Sequence, residues 1–472
     1  MPFFDEMFLN TGHPRDPYDG FSEWFAREDP KKLKAKQREA KNIFRNIGIT
    51  FNVYDDDEPE ERLIPFDFIP RILSKNEWEN ISLGIEQRVR AINDFLNDVY
   101  NHQEILKAGI IPENMLAQNK AFLPQMIGMT PPGGIFTHIV GIDLVRTGAN
   151  EFFVLEDNVR TPSGVSYMLE NRETMLNMFP ELFLENKIQP VSQYPETLYR
   201  ALIECQPPNP SCVEISVAVL TPGIYNAAYF EHSFLADKMS VPLVQSNDLR
   251  TRGGRLVMRT TRGFKPIDVL YRRVDDSFID PLNFDPHSRL GVAGLFDVYR
   301  AGRLSIINAP GSGIADDKAI YSYMSEIIQF YSGEIPLLKN VKTWRCGDPK
   351  SLEYVLDNIE QLVVKEVHGS GGHGMLVGPA ATRSQIRSMS KRLRSRPSDY
   401  IAQPTLALST VPIFSQRGLA PRHVDLRPFV LVSPLGVKII PGGLTRVALN
   451  KGSLVVNSSQ GGGTKDTWVL ES

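Results

Sequence analysis

Apolar residues recur at helical spacing in two early stretches of the chain, and then the period changes. Asp29-Pro30 sets an N-cap before a proline at the first helical position, predicting a helix over Asp29–Ile47. Ser74 opens a second helix, Lys75–Tyr100, whose Ile81, Ile85, Val89, Ile92 and Phe95 form one apolar stripe. Residues 1–120 therefore read as a helical extension rather than a site. From Phe136 strand-like runs take over: Ile139–Val145, a turn at Thr147–Glu151, and a return through Phe152–Glu156.

Near residue 210 an alternating pattern begins. Strands are expected at Val213–Leu220, Val241–Val244, Val269–Tyr271 and Ser305–Ile307, with helices at Ala227–Met239 and Gly291–Ala301. Such alternation implies a small open sheet with flanking helices. After Asn308 a helix over Lys318–Tyr331 leads to a strand, Gln361–Val367, a glycine cluster, and Met375–Val377. Further strands are expected at Tyr400–Pro404, Arg427–Val432 and Val437–Ile440.

Composition narrows the class. The hydrophobic and charged fractions, 42% and 23%, are those of an ordinary globular chain. A net charge of -3 offers no basic excess to meet nucleic acid or a membrane surface. The basic run Lys391–Arg396 reads as the solvated face of a helix. Three cysteines without C-x-x-C spacing indicate neither a disulfide framework nor zinc. With no signal-peptide pattern and no apolar stretch of about 18–20 residues, a cytoplasmic protein is expected.

Candidate chemistry starts at the first hairpin. If its loop is Gly148–Glu151, Asp143 faces Glu156, and Asn158 shares that face two residues on. Facing carboxylates repel, and a bound cation removes the cost. Two carboxylates and an amide, all oxygen donors, suit Mg²⁺. A solvated hairpin in which each charge has its own partner fits the pattern equally.

The run Lys365–Gly374 carries G-x-G-x-x-G, but an apolar strand-like segment follows it instead of a helix. It reads as a flexible hairpin lid whose backbone N–H groups fold over phosphates, with Lys365 as a point charge at its base. A plain glycine-rich turn is the alternative, and His368 and His373 read as lid residues rather than ligands. Asn308–Gly313 leads through Asp316-Asp317-Lys318 into a helix. That is either a phosphate site or simple helix capping by the acidic pair. Lys318 either reaches nucleotide or is solvated. Arg427 and Arg446, on strand-like segments, suit stabilisation of a transferring γ-phosphoryl group. Asn457–Asp466 reads as a polar loop anchored by the apolar segment that follows. G-x-x-x-x-G-K-[ST], H-E-x-x-H and G-x-S-x-G are all absent from the sequence.

Together these motifs resemble the ATP-grasp superfamily in its circularly permuted branch, which includes glutathionylspermidine synthase-like proteins. Lys365 with Gly369, Ser370, Gly371, Gly372 and Gly374 resembles that family's ATP lid. Asp143, Glu156 and Asn158 resemble its magnesium set, and Gln403 lies where its adenine-contacting hinge belongs. The magnesium strands precede the lid by about 200 residues, the reverse of the usual order. The segment with Leu220–Gly223 and Tyr229–His232 resembles a pre-ATP-grasp domain. The fold implied is α/β (α+β), a permuted ATP-grasp fold with an inserted pre-ATP-grasp α/β domain and an N-terminal helical extension. Its implied parts are 1–120, 121–205 with the metal hairpin, 206–315, and 316–472 with the lid. The activity implied is ATP- and Mg²⁺-dependent joining of a small-molecule or peptide carboxylate to an amine through an acylphosphate.

Two departures argue against glutathione and spermidine: Gly141 stands where those synthases carry an arginine, and no amidase segment is seen. Tyr271–Asp276 is a charged run that either binds substrate or forms a surface salt-bridge cluster. Beside the ligase, a nucleotide-binding scaffold and a phosphotransferase fit the same motifs, and the sequence leaves monomer or homo-oligomer open.

Overall fold

In a computed structural model, residues are described except for 1–2, 49, 56–57, 118, 368–373, 416–417, 455, 457–460 and 472; residues 50–63 are described through their backbone alone. Both early helices form where expected. Pro30–Ile47 starts on Asp29, whose side chain accepts from Lys31 N, and ends at Gly48 in the left-handed region. Lys75–Tyr100 starts on a capping box between Ser74 and Glu77, which satisfies two otherwise orphaned N–H groups.

The N-terminal part is not purely helical, however. Phe66–Leu73 is a fully buried strand that pairs in parallel with Gly463–Val469 near the other end of the chain. The segment expected to be loop as far as Asp466 is therefore strand from Gly463. Lys465 is fully buried, and its ammonium is held by Asp67 and by the carbonyls of Ile69 and Pro412.

The central sheet runs Lys339–Asn340, Glu151–Asn158, Ile139–Gly148, Gly418–Arg427, Leu444–Val447, Gly463–Val469 and Phe66–Leu73. Phe429–Ser433 continues the pairing with Ile139–Gly148 after Pro428, which has no N–H to donate. The long helix Lys75–Tyr100 covers one face. Its buried Arg88 grips Asp157 with two hydrogen bonds of 2.6 Å, which fixes one side of the hairpin strand and leaves Glu156 and Asn158 on the other.

A second sheet, in the order Ser305–Ile307, Val269–Arg272, Val217–Leu220, Leu243–Val244, is wholly parallel. The alternation read from the sequence is this unit. A third sheet joins Trp344–Arg345, Tyr400–Pro404, Leu362–Glu366 and Leu376–Val377, and it has its own small core around Val364, Leu393 and Ala402. The helix expected over Lys318–Tyr331 breaks in two, Lys318–Tyr321 and Met324–Ser332.

Two histidines are buried neutral in the fold. Burial pushes His138 down to about 3; burial, with the Arg273 charge nearby, pushes His232 down to about 2. Their folded values lie below the unfolded one, so the stability they permit is complete above about pH 6.5 and is lost as pH falls toward those values. From pH 7 to pH 5 each is expected to cost about 2 kcal/mol. Urea midpoints at pH 7, 6 and 5 test this; a His138→Asn/His232→Asn double variant should show the flatter profile, and equal slopes would refute the assignment.

Candidate active site

The hairpin register sets the geometry. Asp143 does pair with Glu156 and Gly141 with Asn158, but by a different route from the one expected. Gly148 already pairs with Glu151, so the turn is only Ala149-Asn150, and two irregularities follow, one on each side of Leu144–Arg146. They cancel. A single bulge would have set Asp143 against Leu155, because a one-residue slip changes every cross-strand partner.

On its other side the Asp143 strand meets Gly418–Arg427 and Phe429–Ser433, with Leu144 paired to Leu426 and Gly141 to Phe429. Asp143 and Arg427 are therefore neighbours. The next strand pairs Arg446 with Asp425. Glu156, Asp143, Arg427, Asp425 and Arg446 thus share one face of the sheet, since partners and next-but-one residues point the same way.

The charges interlock. Arg427 forms a bidentate pair with Asp143 through Nε and Nη2, and donates from Nη1 to the Ser163 carbonyl at 3.1 Å. Arg446 reaches Asp143 from Nη2 at 2.8 Å and holds Asp425 through Nε at 2.9 and 3.1 Å. Burial alone would raise the Asp143 carboxyl, but the Arg427 and Arg446 guanidiniums outweigh it and hold the group well below the usual carboxylate range. Burial has the upper hand at Asp425, which is pushed up despite Arg446.

Gly141 makes this packing feasible. A Cβ there would lie 3.2 Å from Arg427 Cδ and 3.3 Å from Pro162 Cβ. The stem of Arg427 occupies the space over the glycine, so a guanidinium reaches this part of the site from the neighbouring strand, which is distant only in sequence.

Lys365 comes from the third sheet. Its Nζ donates to Gln403 Oε1 at 2.8 Å, and Gln403 Nε2 donates in turn to Thr343 Oγ1 at 3.0 Å. Burial lowers the Lys365 ammonium and Lys318 lowers it further, while Glu156 and Asp143 act in the opposite direction. The structure so brings Lys365, Lys318, Glu156 and Asp143 within electrostatic reach of one another. The side chain of Gln403 braces Lys365. The lid positions Gly369, Ser370, Gly371 and Gly372 lie outside the described residues. Gly374, at the lid's return, has φ +71°, and a Cβ there would meet the Glu366 carboxylate at 2.8 Å.

Of the acidic pair after the Asn308–Gly313 turn, only Asp317 caps the helix. Asp317 accepts from Ala319 N and Ile320 N, and Asp316 accepts from Val159 N. The Asn308 amide stitches the turn to Ile139 and Val159 through two carbonyls at 2.7 Å. The charged run Tyr271–Asp276 is not a surface cluster as a whole. Arg272 is buried on the carbonyls of Asn308, Val274 and Ala309, and Arg273 is buried against Pro162, Ser163 and Glu231.

Among the described residues, no three His, Cys, Asp or Glu side chains gather as a metal site. The expected set has another composition, two carboxylates and an amide, and its chemistry fits a hard cation. The Glu156 side chain makes no hydrogen bond or close ion pair among the described residues. Asn158 Nδ2 is buried without a hydrogen-bond partner among the described residues, and an amide's two ends are interchangeable by a flip, so either end can face the site. Asp143 Oδ2 accepts from both arginines, while Oδ1 accepts from Arg427 alone. One lone pair of Oδ1 is left for a further cation.

Asp425 and Gln403's brace on Lys365 are the two features that motif reading did not supply. Asp425 stood beside Arg427 in the sequence with the right i, i+2 spacing, but its partner comes from a separate strand.

Comparison with known proteins gives the arrangement a family. A protein of Synechocystis sp. is 50% identical over 469 residues, covering 99% of this chain and 97% of that one; it is uncharacterized. A protein of Frankia alni, provisionally named as a glutamate–cysteine ligase, is 39% identical over 470 residues, covering 99% of this chain and 54% of that protein. The fold is similar to the apo form of a glutathione synthetase-like effector from Globodera pallida, at 12% identity with a TM-score of 0.60, over 94% of this chain and 98% of that one. The circularly permuted ATP-grasp type 2 family matches residues 70–448, and the chain belongs to that family.

Proposed function

We propose that this ATP-grasp ligase joins a carboxylate to an amine through an acylphosphate, using ATP and Mg²⁺. The observation that supports it best is the convergence on one sheet face of Asp143, Glu156, Arg427 and Arg446, with Lys365 facing them from the third sheet. In this reading the substrate carboxylate oxygen bonds to the γ-phosphorus and the bond to the β-phosphate bridging oxygen breaks, releasing ADP. The amine then attacks the acyl carbon, phosphate leaves, and the amine gives up a proton. Arg446 and Arg427 offset the negative charge of the transferring group, and Lys365 meets a phosphate of the nucleotide. Asp143, Glu156 and Asn158 would hold Mg²⁺, which supplies charge neutralisation at the phosphates when bound. No protein nucleophile is required.

The provisional name of the Frankia relative makes glutamate and cysteine the first pair to try. The chain is incubated with Mg-ATP and an amino-acid and peptide set, and ADP release is followed. Release that depends on both an added carboxylate and an added amine is expected. Nucleotide binding without turnover would instead favour a scaffold, and phosphorylation of an acceptor without amide formation a phosphotransferase. Among the described residues no helix is long and apolar enough to cross a membrane.

A further inference from the structure

Arg427 and Arg446 share a carboxylate but are held differently. Arg427 commits all three of its nitrogens, two to Asp143 and one to the Ser163 carbonyl. Arg446 gives Asp143 a single contact from Nη2, and its Nε and Nη2 edge lies on Asp425. Its Nη1 has no hydrogen bond among the described residues. Asp425 is 1% exposed and sits directly opposite Arg446 in the register of the two strands.

One contact to Asp143 fixes where one nitrogen lies but not the plane of the guanidinium. A carboxylate gripping the Nε–Nη2 edge fixes that plane, which is what bidentate pairing adds over a point charge. Strand pairing is already provided by the backbone, and a buried ion pair is weak evidence for a stabilising role. The arrangement spends desolvation on orientation.

We propose that Asp425 is a positioning residue for phosphoryl transfer: it grips one edge of Arg446 so that Nη1 is presented to the transferring group. This rests on the ligase reading. A donor aligned in advance loses nothing to reorganisation in the transition state, and a displacement of about 1 Å can cost roughly 10²-fold in rate. Asp425 acts through Arg446 and touches no reacting atom.

The test measures kcat and KM for ATP in wild type, Asp425→Asn, Arg446→Gln and the double variant. Asp425→Asn is expected to lower kcat about 10- to 100-fold with KM for ATP changed less than about threefold. The double variant should have the kcat of Arg446→Gln, because a residue acting only through Arg446 has nothing left to position. Wild-type kcat in Asp425→Asn would overturn the proposal, as would a loss carried mainly by KM. If Asp425→Asn does not fold, the double variant, in which the pair is neutral on both sides, decides: a kcat matching Arg446→Gln supports the role, and a further tenfold loss overturns it. Absence of ATP turnover in wild type would remove the ligase reading itself, and is seen before any variant is made.

Discussion

An Asp143→Ala variant is expected to lose about 3–5 kcal/mol of unfolding free energy, because it strands buried guanidinium charge. The two arginines do not suffer equally. Arg446 keeps Asp425, whereas Arg427 keeps only the Ser163 carbonyl. The stranded charge is therefore mainly that of Arg427, and a second substitution, Arg427→Met, should recover part of the loss by replacing the charge with an apolar stem of similar length. The pH dependence has a defined sign. The Asp143 carboxyl is held below the usual range by the arginines, so its contribution is present above the ordinary carboxylate pKa and is lost only as pH falls through the depressed one. Acid should thus weaken wild type first through His138 and His232, with the Asp143 pairs failing last. Urea unfolding at pH 7 checks the main effect; a loss under about 1 kcal/mol, the range of exposed pairs, would show that the network is not desolvated as described.

How much of this was legible beforehand depends on how local each feature is. The capped helices at Asp29 and Ser74 were readable because a cap, a proline and an apolar stripe all lie within a few residues. Asp143 opposite Glu156 was readable too, though the true turn is shorter and the register is restored by compensating bulges that no local pattern announces. The strand Phe66–Leu73 was hidden between two helices, and its partner lies near the other end of the chain. The same reason explains Asp425 and Gln403. Gln403 sits in the expected strand Tyr400–Pro404, and Asp425 lies just before the expected strand Arg427–Val432, but what each side chain does depends on a neighbour brought by non-local pairing: Arg446 for Asp425, Lys365 for Gln403. Residue types at motif positions point to a site; the division of labour between Arg427 and Arg446 follows only from register.

Glu156→Gln is expected to separate binding chemistry from folding, and so to contrast with Asp143→Ala. The Glu156 side chain makes no hydrogen bond or close ion pair among the described residues, so an isosteric amide breaks no direct contact; it removes only the longer-range attraction to Lys365, and stability should change by less than about 1 kcal/mol. Turnover should fall about 10²- to 10³-fold, the scale on which removal of one electrostatic contact in a phosphoryl or acyl transfer site is felt. The Mg²⁺ concentration for half-maximal rate should rise by at least about tenfold, since one of two carboxylate donors is gone and a neutral amide binds a hard cation less well. A rate loss without any change in Mg²⁺ requirement would assign Glu156 to substrate or to Lys365 rather than to metal. Unchanged turnover would remove the metal assignment altogether. In Lys365 the same substitution has a second reporter: Glu156 is the main charge opposing the fall in that ammonium's pKa, so its loss should lower the pKa further. A high-pH limb of the rate profile that arises from Lys365 should then move to lower pH in the variant, because the protonated lysine needed at the phosphate is lost sooner as pH rises.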